Sequence, residues 1–216
     1  MAFKMVGDFK IPPFKENWKE AWSSKSYRKE LIGSILCIFV FWKFIFWFFP
    51  YIQSRTGAVI NDPILNMLTP MDLSWFTFIC IYLVFISAMI HLMYHPRLLL
   101  VMFEVFLVVT TMRMMSLFFI PLDPPKGIIL LTDPIIGKFA YNNNVITKDL
   151  FFSGHTVLVF VMFLVVRHTW LKISYLILTI CVGCALMIQH VHYSFDIMAA
   201  PIFTYLAFKI VKLVHR

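Results

Sequence analysis

The chain has 216 residues, of which 61% are hydrophobic and only 14% charged, and its mean hydropathy is +0.82. A soluble domain of this length has no interior able to hide so much apolar surface, so the composition excludes a water-soluble globular protein and points to the bilayer. The formal net charge of +8 comes with no basic nucleic-acid motif; topology and anionic lipid account for it, and no nucleic-acid partner is expected.

Residues 1–30 read as a charged cytoplasmic tail. Within it Phe14, Trp18 and Trp22 recur at four-residue spacing among Lys15, Lys19 and Glu20, which predicts an interfacial helix on the cytoplasmic face. From residue 31 the chain turns apolar. A hydrocarbon core about 30 Å thick needs roughly 20 apolar residues per helical span, and six segments meet that requirement, near 31–52, 73–94, 98–120, 151–167, 171–189 and 196–214. The first is too long and too aromatic for a cleaved signal peptide, so it is expected to be retained. The expected fold class is an all-α integral membrane protein, a six-transmembrane-helix bundle occupying residues 31–216 as one domain.

Lysines and arginines set the orientation, because positively charged short loops stay cytoplasmic. Lys4, Lys10, Lys15, Lys19, Lys25, Arg28, Lys29, Arg97, Arg167, Lys172, Lys209, Lys212 and Arg216 fall on one side of the six spans. Only Arg55, Lys126, Lys138 and Lys148 fall on the other. Both termini are therefore expected to be cytoplasmic. Cys37, Cys80, Cys181 and Cys184 all lie within expected spans, so no disulfide framework or redox compartment follows from them. Cys181 and Cys184 read as small helix-packing residues. Lys43 and Glu104 are intramembrane charges with no pattern around them, and His91, His95, His168 and His215 read as wet residues at the cytoplasmic boundary.

The longest non-helical stretch, 121–150, is rich in proline, glycine and asparagine, and a loop of this length in a compact chain is usually functional. By the topology above it lies on the outer side, together with 53–72 and 190–195. Ser153, Gly154 and His155 then open the fourth span at the outer face, and His192 and Asp196 lie at the outer turn into the sixth. Arg113, about 10 Å from the outer end of the third span, reaches the same layer.

That layer has the parts for chemistry on a lipid phosphate. A phosphodiester is displaced by a nucleophile that can leave again, with a cation on the non-bridging oxygens and a proton donor for the departing alkoxide. The His192-x3-Asp196 spacing puts both groups on one helical face, so the carboxylate can fix the imidazole tautomer. His155 is placed to protonate the leaving oxygen, and the helix N-terminus at Ser153 and Gly154 offers backbone N–H groups to an anion. Arg113 is the candidate phosphate clamp. Asp149, Thr156, His190 and Tyr193 stand beside these residues in supporting positions. No plausible set of metal ligands occurs on the outer face, so neither a metal nor a cofactor is expected.

With Ser153-Gly154-His155 and His192-x3-Asp196, the chain resembles the type-2 phosphatidic acid phosphatase superfamily. More specifically it is similar to the sphingomyelin synthase branch. Asp149 to Thr156 matches Asp-x3-Ser-Gly-His-Thr, and His192, Tyr193, Ser194, Asp196 and Ala200 match the second motif, preceded by His190. Arg113 with Ser116 resembles the branch's arginine motif. Thr147-Lys148 stand where the branch usually has Cys-Gly, and Thr69-Pro70-Met71-Asp72 only loosely echoes its proline-rich motif. The phosphatase branch's lysine-to-Arg-Pro motif, and the Ser-Arg ahead of its second histidine, are missing.

The resemblance implies a six-helix catalytic domain that transfers a head group in two steps. His192 would take the phospho-head group from a phosphatidylcholine or phosphatidylethanolamine donor as a phosphohistidine, releasing diacylglycerol. His155 would serve as acid and then as base toward a ceramide-like acceptor. The site would face the periplasmic or exoplasmic side, and the short tail fits a bacterial inner membrane better than a Golgi or plasma membrane. Two alternatives stay open: a phospholipase C-type hydrolase or lipid phosphatase with water as acceptor, and a non-enzymatic lipid-binding or scaffold protein.

Overall fold

The computed structural model describes residues 13–133 and 146–215. Lys4, Lys10, Lys138 and Arg216, counted in the charge bias, lie outside the described residues, as does the 134–145 part of the long outer loop. The described chain contains seven α-helices: α1 (Phe14–Ser23), α2 (Lys25–Ser54), α3 (Ser74–Met93), α4 (Pro96–Phe119), α5 (Gly154–Val165), α6 (Thr169–Ile188) and α7 (Ser194–Val214). A short 3-10 turn, Leu65–Met67, interrupts the link between α2 and α3, and no strand occurs among the described residues.

Each of the six apolar segments holds a helix, but only α2, α3, α4, α6 and α7 are long and apolar enough to cross a membrane. The fourth expected span differs. Its helix has 12 residues, a rise of about 18 Å at 1.5 Å per residue, short of a ~30 Å hydrocarbon core. The reason is that the chain before Gly154 is not helical: residues 146–153 run irregularly, and Leu150 and Phe152 are fully buried. Non-helical backbone inside a bundle needs donors for its carbonyls. Ser116 Oγ gives a 2.7 Å hydrogen bond to the Phe151 carbonyl, and Arg113 Nε gives a 2.8 Å bond to that of Phe152.

α4 and α5 form the hub. α4 packs against α1, α2, α3, α5 and α7, and α5 also packs against α3, α6 and α7. The seam is made of small and β-branched residues that let the helices approach closely: Val84 and Ala88 of α3, Val105 and Val109 of α4, Val159 and Val161 of α5, Val182 of α6, Ala200 and Ala207 of α7. The outward faces are apolar as well. Phe39, Val40, Trp42 and Trp47 of α2, Ile79 and Ile86 of α3, and Trp170, Ile177 and Ile180 of α6 are exposed, as lipid-facing residues are.

The helices run alternately up and down, and the bonds between connections show which ends lie together. At one end Ala58 N–H donates to Pro121 O and Asp123 N–H to Ala58 O, both at 3.0 Å, and Ile129 N–H donates to Gln189 O at 3.1 Å. At the other end α1 covers the C-terminus of α3, whose last carbonyls lack intrahelical partners. Asn17 Nδ2 donates to Tyr94 O at 2.9 Å and Trp18 Nε1 to Met93 O at 2.8 Å. Trp18 thus turns into the bundle, whereas Phe14 and Trp22 stay exposed. The Phe14 and Trp18 rings lie together at 6.3 Å, and Phe14 also meets Tyr94 edge-on at 5.6 Å.

Two glycines mark opposite cases of packing. A Cβ on Gly57 would lie 2.4 Å from the Leu122 carbonyl carbon and 2.6 Å from Asp123 N, whereas one on Gly33, in the middle of α2, would meet nothing within 4 Å. Gly57→Ala is expected to lower stability by about 1–3 kcal/mol, because backbone rather than a flexible side chain has to move. Gly33→Ala is expected to raise it by about 0.5–1 kcal/mol through helix propensity. Thermal unfolding of both variants in detergent micelles checks the difference in sign.

Candidate active site

The polar residues singled out in the sequence gather at the end of the bundle where α4 finishes and α5 and α7 begin. Arg113 lies six residues before the end of α4, about 9 Å down its axis. Besides the Phe152 carbonyl, its guanidinium contacts the Asp149 carboxylate through Nη2. It also lies flat on Gly154, where a Cβ would stand 2.9 Å from Arg113 Cζ. The glycine of the Ser-Gly-His triplet is therefore the opening through which the arginine reaches the start of α5.

Ser153 caps that helix. Its Oγ accepts from Thr156 N–H at 3.4 Å and from the Thr156 hydroxyl at 3.1 Å, and both residues are buried. The hydroxyl is thus engaged in holding the helix N-terminus, as an N-cap serine commonly is. Ser153 N–H donates at 3.3 Å to the Asp196 carbonyl, which ties the first motif to the second.

In the second motif the four-residue spacing produces the expected contact. His192 Nδ1 lies 3.3 Å from Asp196 Oδ2, with side chains 3% and 0% exposed. The same oxygen accepts from Tyr193 N–H at 3.1 Å and closes a capping box on α7. A carboxylate facing Nδ1 places the proton on that nitrogen and leaves the Nε2 lone pair for chemistry. Asp196 Oδ1 is buried with no hydrogen-bond partner among the described residues. The buried Tyr193 hydroxyl accepts from Ile60 N–H at 3.1 Å and donates to Asp123 O at 2.9 Å, so it pins the connections at this end of the bundle together.

A cavity of about 270 Å³ opens beside Arg113, Asp149, Gly154 and His155. Its other walls are apolar except for Thr110: Ile45 and Phe49 from α2, Ile81 from α3, Phe106, Val109 and Met114 from α4, Val157 and Leu158 from α5. Phe78 meets the His155 ring edge-on at 5.8 Å and limits its orientation. The ionisable groups acting on His155 through space are His192, Asp149, Arg113 and Asp133. The cavity thus has a cationic and imidazole end and mostly apolar walls.

His190 stands apart. It has φ +55°, its Nδ1 faces the Lys126 carbonyl at 3.0 Å, and it lines a second cavity of about 310 Å³ with Asn61, Asn66, Lys126 and Tyr193. Of these two cavities His192 lines neither, because its side chain is buried against Asp196.

Other residues that hold the site carried no motif in the sequence. Asp62 Oδ2 accepts from Ser194 N–H at 2.6 Å, at the start of α7, while Oδ1 accepts from Ile64 N–H at 2.9 Å and Leu65 N–H at 3.3 Å. Gln189, fully buried, accepts from Leu73 N–H at 3.2 Å and donates to Ser74 Oγ at 2.9 Å and Leu130 O at 3.3 Å. Thr147 and Lys148 have structural tasks: Gln53 Oε1 accepts from both backbone N–H groups, and Lys148 Nζ pairs with Asp123 at 2.7 Å. Only the apolar runs on either side bring these polar groups together, which is why spacing alone did not reveal them.

Asp62 gives a pH signature. Burial pushes its carboxyl up, but the hydrogen bonds from Ser194, Leu65 and Ile64 outweigh it and hold the group below its ordinary value of 3.8. A carboxyl whose folded pKa is depressed stabilises the fold above its unfolded pKa, and the contribution is lost as pH falls through the folded value. The melting-temperature difference between the unaltered chain and Asp62→Asn is expected to be constant from about pH 5 to 7 and to shrink below about pH 4. Melting curves recorded across that range in detergent check it.

Residues 148–213 match a family model described as PAP2 superfamily C-terminal. The matched segment runs from the residue before Asp149 almost to the end of α7, and so contains both histidine motifs and the contacts between them. No curated protein and no solved structure matches the chain. The family match supports placement of these motifs in the type-2 phosphatidic acid phosphatase superfamily, whose members are generally lipid phosphatases or phosphotransferases.

Proposed function

We propose that the chain is a lipid head-group phosphotransferase, similar to the sphingomyelin synthases, that moves a phospho-head group from phosphatidylcholine or phosphatidylethanolamine to ceramide or a related lipid alcohol. The observation that carries this reading is the bond from Ser153 N–H to the Asp196 carbonyl, which joins the His155 motif to the His192–Asp196 pair beside a cavity shared by His155 and Arg113. The missing phosphatase-branch motifs favour transfer over plain hydrolysis.

In the first step His192 Nε2 attacks phosphorus, the bond from phosphorus to the diacylglycerol oxygen breaks, and His155 delivers the proton that the leaving oxygen takes. Asp196 holds the His192 proton on Nδ1 and balances the charge that builds on the ring. In the second step His155 removes the acceptor hydroxyl proton, the new oxygen attacks phosphorus, and the bond from phosphorus to His192 breaks. Arg113 and the N–H groups at the start of α5 stabilise the phosphoryl oxygens. Asp149 partly neutralises Arg113, so the clamp grips a phosphate only as the guanidinium shifts its bonding from carboxylate to ligand.

For the topology we propose cytoplasmic termini and an outer-leaflet site, with α5 and its irregular approach together making the fourth crossing. Cysteine introduced at Lys126 is then expected to react with a membrane-impermeant maleimide in intact cells. Labelling seen only after permeabilisation would reverse the orientation.

The direct test is purified protein in mixed micelles with both donors, with and without ceramide, and products read by mass spectrometry. Diacylglycerol and a head-group-bearing ceramide are expected in equal amounts, and both vanish in His192→Ala. Asp196→Asn is expected to lower turnover by about 10²–10⁴-fold. Diacylglycerol formed equally well without ceramide would make water the acceptor and the protein a hydrolase.

A further inference from the structure

At the opposite end of the bundle from the candidate site, three helices bring together side chains that the transfer chemistry does not use. Glu104 lies eight residues into α4, about 12 Å along the axis from Pro96, and its side chain is only 18% exposed. His215, which caps the C-terminus of α7, sets its Nε2 2.5 Å from Glu104 Oε2. Glu30, in the second turn of α2, completes the group: one ligand atom from each of Glu30, Glu104 and His215 lies within 4.8 Å of the others.

Two carboxylates that approach this closely on apolar helices repel one another unless a cation lies between them, and a carboxylate within a membrane-spanning segment is costly without a partner. Ser26 Oγ, one turn before Glu30, donates to its Oε1 at 2.7 Å and steadies the carboxylate. We propose that Glu30, Glu104 and His215 form a divalent-cation site of the zinc class, with the metal tying the ends of α2, α4 and α7 together. Tetrahedral zinc with bonds near 2 Å holds its ligand atoms roughly 3.4 Å apart, so modest side-chain rotation closes the present arrangement. The imidazole favours zinc over magnesium or calcium, which take oxygen ligands in larger numbers. The exposed side of His215 leaves the fourth position to water.

The site is separate from the catalytic layer. Glu104 and Arg113 are nine residues apart on one helix, about 14 Å. The metal therefore acts as a clamp on the bundle rather than as a reagent.

The test uses the full chain without an affinity tag, stripped with chelator and held in detergent micelles. Zinc chloride is titrated in while bound metal is counted by mass spectrometry and unfolding is followed thermally. One zinc per chain and a higher melting temperature are expected, with magnesium at the same concentration giving no shift. Glu104→Gln and His215→Asn are each expected to weaken zinc binding at least tenfold. His215→Asn is the decisive variant, because His215 is exposed and its replacement leaves the packed core intact. Both variants are expected to keep the catalytic activity of the unaltered chain. Zinc binding equal in the unaltered chain and in His215→Asn would overturn the assignment, as would failure of the stripped protein to take up zinc. A magnesium-induced shift would overturn the zinc-class assignment.

Discussion

Peptide groups that leave the helix inside an apolar bundle have no water to turn to, and the site at the start of α5 is organised around that constraint. The carbonyls of Phe151 and Phe152 are served by Ser116 and Arg113, both on α4. Without those donors the irregular approach to Gly154 would be too costly to keep. With them, the chain enters α5 with Ser153 bonded to Asp196 of α7, Gly154 against Arg113 of α4 and His155 against Phe78 of α3. Arg113 thus shapes the site before it meets any ligand, and its hold on Asp149 and Gly154 belongs to the same fastening.

Much of this was legible in the sequence because it rests on periodicity and local spacing. The apolar segments gave the helices, and His192 with Asp196 four residues on gave a contact that any helical turn produces. The Ser-Gly-His triplet gave an N-terminus, since serine caps and glycine admits a close neighbour. What stayed hidden depends on which helix stands beside which. The partners of Glu104 lie on α2 and at the end of α7, and nothing within α4 hints at them. The shortness of α5 was hidden for another reason: residues 151–153 are as apolar as the helix they precede, and hydropathy does not separate a buried irregular strand of chain from a buried helix.

The connections at the site end of the bundle are closer to a lid built in place than to loose loops. Asp62, Tyr193, Gln189 and Lys148 each bond to backbone far away in sequence, so the segment after α2, the segment after α4 and the turn between α6 and α7 form one hydrogen-bonded layer. Their importance is positional. Asp62 fixes where α7 starts, and the start of α7 fixes the imidazole of His192 against Asp196. His190, held by Lys126 with its backbone in the left-handed region, turns the chain so that its own ring lines the second cavity while His192 stays buried against Asp196.

The greasy cavity beside Arg113 takes its walls from α2 as well as from α3, α4 and α5, and α2 is the most peripheral of the long helices, with most of its surface outside the protein. A phospholipid arriving past α2 would leave its tails among other tails while only its polar portion changed surroundings. Encounter would then be a two-dimensional process. Under the proposed function, turnover would follow the mole fraction of donor in the membrane rather than its amount per volume, so inert lipid added to a fixed quantity of substrate would slow transfer by dilution within the surface.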